Sequence, residues 1–197
     1  MNRADPAEGD LRSMRERMLA GDLYRGADPE LDAEMRQAMV LTKAFNDSDP
    51  RDPAGRRALL EQLLGTIGDE VDLRPPLHVD YGSHLHIGDR TFVNFGLMAL
   101  DVAPIRIGTD VLIGPNVQLL TPTHPIHPEP RRAKWEAALP ITIGDNVWIG
   151  GMAVICPGVT IGANSIIGAG AVVTKDVPAD VVAVGNPARV IRSVYDE

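Results

Sequence analysis

The stretch "ITIGDNVWIGGMAVICPGVTIGANSIIGAGAVVTKDVP" (141–178) repeats itself every six residues. Ile143, Ile149, Ile155, Ile161, Ile167 and Val173 fall on one frame. Gly144, Gly150, Gly162 and Gly168 follow four of these six; Cys156 and Thr174 follow the other two. A period of six is neither the 3.6 of a helix nor the simple alternation of a half-buried strand. It describes a short strand and a tight corner. The aliphatic points into a narrow interior, and the glycine lets the backbone turn. Three such units close a coil, and stacked coils pair their strands in parallel, about 4.8 Å apart. Sandwich strands vary in spacing, so the strict frame reads as a parallel β-helix.

Upstream, Ile107-Gly108, Ile113-Gly114 and Leu119 share the frame. Ile87-Gly88, Val93 and Ala99 also step by six, in a frame displaced by two. From Leu119 the frame runs through Pro125, Arg131 and Ala137, which fill a prism poorly, and it recovers at Ile143. A loop is therefore ejected from one coil over about 125–140, opening with "THPIHPEP" (123–130). An ordered loop of this length is usually functional. Its base carries His124 on the outer surface.

Composition agrees. Hydrophobic residues make up 44% of the 197, but aromatics only 4%, as an aliphatic prism requires. The formal charge of -8 argues against nucleic acid as a partner, which needs a basic face. The single cysteine, Cys156, cannot form an internal disulfide. "MNRADPAEGD" has no apolar signal core, and no run approaches membrane-spanning length, so a soluble cytoplasmic protein is expected.

Residues 1–75 read as a helical segment, 76–192 as the solenoid and 193–197 as a tail. "LRSMRERMLAG" (11–21) suits a short helix stopped by Gly21. Asp28-Pro29 and Asp52-Pro53 supply N-caps with proline in the first turn. Leu31, Met35, Met39 and Thr42, with Ala38 and Phe45 beside them, form the apolar stripe of the second helix. Leu59, Leu60, Leu63 and Leu64 form that of the third, before Gly65. Pro75-Pro76 ends helical character.

"MLAGDLYRGADPEL", "DYGSHLHIGDRTFVNFG", "LDVAPIRIG", "TPTHPIHP" and "GNPARVIR" together resemble the maltose and galactoside O-acetyltransferases, nodulation-type sugar acetyltransferases included. The likeness spans roughly residues 14–192. It implies a left-handed parallel β-helix, a homotrimer with active sites between subunits, and acetyl transfer from acetyl-CoA to a sugar hydroxyl without a metal. The flat apolar sides of a prism give a motive for packing around a threefold axis.

The resemblance also implies site residues. His124 matches the family's catalytic histidine in "T-x-T-H-P", and imidazole suits deprotonation of an attacking alcohol near neutral pH. His127 has no such match and reads as a surface loop residue. Glu136 matches the glutamate of "E-x-x-x-P-[IV]-T-I-G"; it orients or charge-stabilises His124, touches the acceptor, or is simply a solvated charge. Asn94 would donate its amide to the oxyanion of a tetrahedral intermediate, although Val93 replaces the usual alanine. Asp28, Asp80 and Asp101 match positions near the acceptor, where carboxylates accept from hydroxyls; each also suits a turn or a cap. Phe92 falls where some galactoside relatives carry tyrosine, which bears on acceptor preference. Trp148, Gly151 and Ala169, with Gly150 and Gly168, would line the coenzyme cleft. Thr174, Lys175, Arg189 and Arg192 match coenzyme-contacting positions, the cations near the nucleotide phosphates.

Three other functions use the same fold: an antibiotic acetyltransferase, a γ-class carbonic anhydrase and a non-catalytic scaffold. The N-terminal segment favours the sugar group. The anhydrase needs three zinc-binding histidines, and no third outward histidine has the spacing of His124 and His127. Cys156, His78, His84 and His86 carry no recognised motif.

Overall fold

The computed structural model describes residues 7–196. The first six residues of the N-terminal segment and Glu197 of the tail lie outside the described residues. Three helices come first: α1 (Met14–Leu19), α2 (Pro29–Asn46) and α3 (Pro53–Leu63). Their starts follow the sequence. Ser13 caps α1 in a reciprocal pair with Glu16, and Asp28 and Asp52 cap the two proline-led helices. Gly21 sits just past α1 in the left-handed region, at φ +78°. The stripe of α2 differs at one place. Leu31, Ala38, Thr42 and Phe45 are buried, while Met39 is exposed beside it.

The remainder is a three-sided parallel β-helix. Its first face stacks Thr66–Ile67, Leu85–Ile87, Ile105–Ile107, Ile141–Ile143 and Thr160–Ile161. The second stacks Asp72–Leu73, Phe92–Val93, Leu112–Ile113, Trp148–Ile149, Ile166–Ile167 and Val181–Val184. The third stacks Leu77–Val79, Leu97–Leu100, Gln118–Leu120, Val154–Ile155 and Val172–Val173. The frame residues Ile113, Leu119, Ile149, Ile155 and Ile161 point inward and are buried.

Two boundaries shift. The solenoid begins at Thr66–Ile67 rather than at residue 76, because Ile67-Gly68, Leu73 and Val79 already follow the six-step frame and pair with Ile87, Val93 and Ala99. Phe45, Leu60, Leu63 and Leu64, from α2, α3 and the end of α3, close this first coil within one continuous core. At the other end Arg189–Ser193 folds back antiparallel on Val181–Val184, so the last strand reaches the first residue of the expected tail.

The register explains the displaced frame. Ile87 pairs with Ile107, but Ile149 pairs with Ile167, so the lower coils are two residues longer than the upper ones. The extra residues all enter at the corner between the third and first faces. There the chain runs through 80–84, then 101–104, then the ejected 121–140. The corner between the first and second faces is regular by contrast. Glu70, Arg90, Asp110, Asn146, Asn164 and Asp180 stack there with φ between 52° and 64°. Asparagine and aspartate tolerate this region best, and the Asn146 and Asn164 amides donate up the ladder at 3.0 and 2.8 Å. Irregularity is thus confined to one edge of the prism.

Candidate active site

Asp101 organises the irregular corner from within. It is fully buried, and its Oδ1 accepts from the backbone N–H of Asp80 (3.0 Å) and Tyr81 (2.9 Å). Its Oδ2 accepts from the His84 N–H at 3.1 Å. This corrects the expectation that Asp101 touches the acceptor: a carboxylate with no exposed surface cannot, and its oxygens are spent on the loop below. One coil higher, buried Thr121 acts similarly. Its hydroxyl accepts from the Ala103 N–H at 3.0 Å and donates to the Leu100 carbonyl at 2.6 Å.

The ejected segment is ordered by two pairings. Pro122–Thr123 pairs antiparallel with Trp135–Ala138. The other edge of Trp135–Ala138 pairs antiparallel with Tyr24–Arg25 of the N-terminal segment. Trp135 is buried beneath the guanidinium groups of Arg25 and Arg17, at 4.5 and 5.8 Å from the ring centre. Between the strands lies α4 (Pro128–Arg132), and His127 is its N-cap, with Nδ1 accepting from the Glu129 N–H at 3.4 Å. His124 precedes this turn with its side chain 60% exposed, and its Nδ1 lies 3.9 Å from Glu136 Oε2. That distance allows charge attraction but no direct hydrogen bond.

Glu136 is 23% exposed and faces inward, toward buried Tyr24 and half-buried Asp80. Burial first, then the charges of Asp101 and Glu136, raise the Asp80 carboxyl from 3.8 to about 6. Burial likewise pushes the phenols of Tyr24 and Tyr81 well above their ordinary range, with Glu136 and Asp80 the leading charges respectively. The corner therefore gathers His124, Glu136, Asp80, Tyr24 and Tyr81. It does not gather all the expected acceptor residues. Asp28 caps α2 through one oxygen, accepting from Glu30 and Leu31 N–H at 3.0 and 3.4 Å. Phe92 lies on the second face under the Arg74 guanidinium, 4.7 Å from the ring centre.

That second face carries a separate groove of about 610 Å³. Register places Phe92, Leu112, Trp148 and Ile166 in one outward row, and Trp148 is 53% exposed. Asn94, Gly151 and Ala169 line the same groove. The glycines are required by stacking: a Cβ on Gly150 would lie 2.5 Å from the Ala169 nitrogen. The Asn94 Oδ1 accepts from the Phe95 N–H at 2.8 Å. Thr174 and Lys175 follow the Val172–Val173 strand on an exposed corner. Arg189 and Arg192 are exposed on the last strand, and Arg192 Nη1 donates to the Asp196 carbonyl at 2.6 Å. Among the described residues no cluster of three His, Cys, Asp or Glu side chains could hold a metal ion, and no helix is long and apolar enough to cross a membrane.

The maltose acetyltransferase hexapeptide capping motif matches residues 17–68, and the bacterial transferase hexapeptide (six repeats) matches 140–175. The galactoside O-acetyltransferase of Escherichia coli K12 is 44% identical over 183 residues, covering 93% of this chain and 90% of its own. The chain belongs to the maltose and galactoside O-acetyltransferase family. Among solved members of that family, a maltose O-acetyltransferase from Clostridium difficile superposes with a TM-score of 0.92 at 42% identity, over 94% of this chain and 99% of its own. A galactoside acetyltransferase in complex with coenzyme A superposes with a TM-score of 0.90 at 44% identity, over 94% and 92%. The matched capping motif spans α1 to the first solenoid strand, the part that holds Tyr24 against Glu136.

Sequence reasoning missed Tyr24, Tyr81 and Thr121. Tyr24 lies inside the "LYRGADPEL" stretch, yet a two-residue strand leaves no periodic signal.

Proposed function

We propose that this chain transfers the acetyl group of acetyl-CoA to a hydroxyl of a sugar acceptor, with His124 as general base. The carrying observation is the approach of Glu136 Oε2 to His124 Nδ1 at the open corner. With Nδ1 turned to the carboxylate, Nε2 is left to take the acceptor's proton as the oxygen attacks the thioester carbonyl. The Asn94 amide donates to the oxygen that becomes negative. The imidazolium, stabilised by Glu136, returns its proton to the departing thiolate. Ionised Asp80 accepts from acceptor hydroxyls beside the phenols of Tyr24 and Tyr81.

The groove of Asn94 and Trp148 holds the pantetheine arm, with Thr174, Lys175, Arg189 and Arg192 toward the nucleotide. Groove and corner lie on different faces of one prism. A homotrimer, with the groove of one subunit beside the corner of the next, would complete each site. The exposed apolar row of Leu112 and Trp148 supports that packing. A cytoplasmic location belongs to the same proposal, since acetyl-CoA is the donor.

The test is thiol release from acetyl-CoA against maltose, glucose, galactosides and chitooligosaccharides, with a hydroxylated antibiotic as the competing class. Turnover on the antibiotic and on none of the sugars would replace this reading with the xenobiotic one. No turnover on any hydroxyl would leave the scaffold reading.

Asp80 gives the site a pH signature. The folded protein binds this proton more tightly than the unfolded chain. Its contribution to stability is therefore fully present below the ordinary aspartate range and is lost as pH rises from about 4 through about 6. Asp80→Asn should flatten that slope and raise the melting temperature at pH 7. An unchanged slope would show that Asp80 is solvated.

A further inference from the structure

We propose that Tyr24 is a positioning residue for the reaction, holding Glu136 against His124, and that the N-terminal segment thereby completes the base. The inference rests on the reading of His124 as general base.

Three observations converge on the Glu136 carboxylate from one two-residue strand and the glycine that follows it. Tyr24 and Glu136 are direct partners in the antiparallel pairing of Tyr24–Arg25 with Trp135–Ala138. Their side chains therefore share one face of the pair, Tyr24 is only 1% exposed, and the Glu136 charge acts on its phenol. Gly26 lies against Glu136 Oε1 so closely that a Cβ there would collide with it. Meanwhile Oε2 is the oxygen that approaches His124. Both oxygens are thus accounted for. Gly26 makes room for one, the other approaches the imidazole, and the Tyr24 phenol lies beside the group as the donor on the same strand face.

Holding the group in place has a purpose here. A glutamate side chain has three rotatable bonds, and the attraction to His124 at 3.9 Å is too weak to select one rotamer. The other titratable groups facing Glu136 are Asp80 from the coil corner and Tyr81 beside it, with Asp101 and Glu34 acting on these in turn. Asp80 repels the carboxylate and would drive it outward. Donation from the buried, rigid phenol on the paired strand would oppose that displacement, and a charged acceptor would make it strong. The stacked cations on Trp135 fix the strand that carries both partners.

The experiment is a double-mutant cycle on the full chain, with Tyr24→Phe, Glu136→Gln and both together. Tyr24→Phe keeps the buried ring and removes only the hydroxyl. We expect it to lower kcat about tenfold with KM for acetyl-CoA within about twofold, and the double variant to be no slower than Glu136→Gln. Gly26→Ala, which pushes on Oε1, should reproduce the kcat loss and serves as the test if Tyr24→Phe fails to fold. Losses that multiply in the double variant would overturn the proposal, since a merely structural hydroxyl would act independently of Glu136. So would a Tyr24→Phe enzyme with full kcat. His124→Ala separates the two levels. If it stays active, the base assignment fails; if it is inactive while Tyr24→Phe is unimpaired, only the positioning role fails.

Discussion

His124→Ala should lower kcat for sugar acetylation by about 10²–10⁴-fold and leave KM for acetyl-CoA within about twofold. The expectation follows from where the ring sits. It is 60% exposed, it lies beside Glu136, and it contributes nothing to the buried aliphatic core. A substitution at such a position changes stability by about 0.5 kcal/mol or less. The activity loss can therefore be read as chemistry. Because the groove proposed for the coenzyme lies on a different face, acetyl-CoA binding should be intact. Steady-state kinetics at saturating donor and acceptor, with melting curves beside them, checks all three statements. A variant keeping more than about a tenth of wild-type kcat would remove the histidine from the mechanism. His127→Ala makes the matched control. Its ring is spent on capping α4, so the cost there should be a small loosening of the loop and a kcat change of about threefold or less.

The difference between these two histidines shows what a sequence can carry. The six-step frame is a local property, because each inward aliphatic is dictated by the corner before and after it. The parallel β-helix and the ejected segment were both legible from it. The displacement of the frame by two was legible as well, but its meaning was not. Only register shows that each surplus pair of residues enters at the same edge, bringing Asp80, Asp101 and the segment of His124 to one side of the prism. The start of the solenoid was misplaced because Gly68 is followed by Asp69 and Glu70, whose charges hide the corner, while Ile67, Leu73 and Val79 keep the period. Long-range polar partners leave no trace of this kind. Nothing in the spacing of Tyr24 and Glu136 predicts that they face each other. Nothing around Asp101 distinguishes a buried anchor from a sugar ligand. Phe92 and Asn94 share a strand-and-corner unit, so their common face follows from the frame; that it is the groove face needed the Trp148 pairing.

Asp101→Ala should destabilise the protein by about 3–5 kcal/mol, the largest single effect expected from any polar side chain here. Three backbone N–H groups, those of Asp80, Tyr81 and His84, end on this one carboxylate. Asp101 is fully buried and Tyr81 nearly so, which leaves water poorly placed to replace the lost acceptor. Each orphaned donor costs about 1–3 kcal/mol, and the corner can relax only by giving up the backbone geometry that places Asp80 and Tyr81. Asp101→Asn separates the terms. With its oxygen in the Oδ1 position the amide still serves Asp80 and Tyr81, but its NH₂ then opposes the His84 N–H. The loss should be smaller, about 1–3 kcal/mol. The neutral side chain also removes one of the two charges that raise the Asp80 carboxyl. The fall in stability between pH 4 and 6 should therefore become shallower without vanishing, since burial is the leading cause. Urea unfolding at pH 7, repeated at pH 4 to 6, reads both effects. If Asp101→Ala unfolds within about 1 kcal/mol of wild type, water reaches the corner and Asp101 must be returned to the acceptor site. If it is destabilised as expected, folded enzyme below its melting point should still acetylate poorly, because Asp80 and Tyr81 depend on the anchor that was removed.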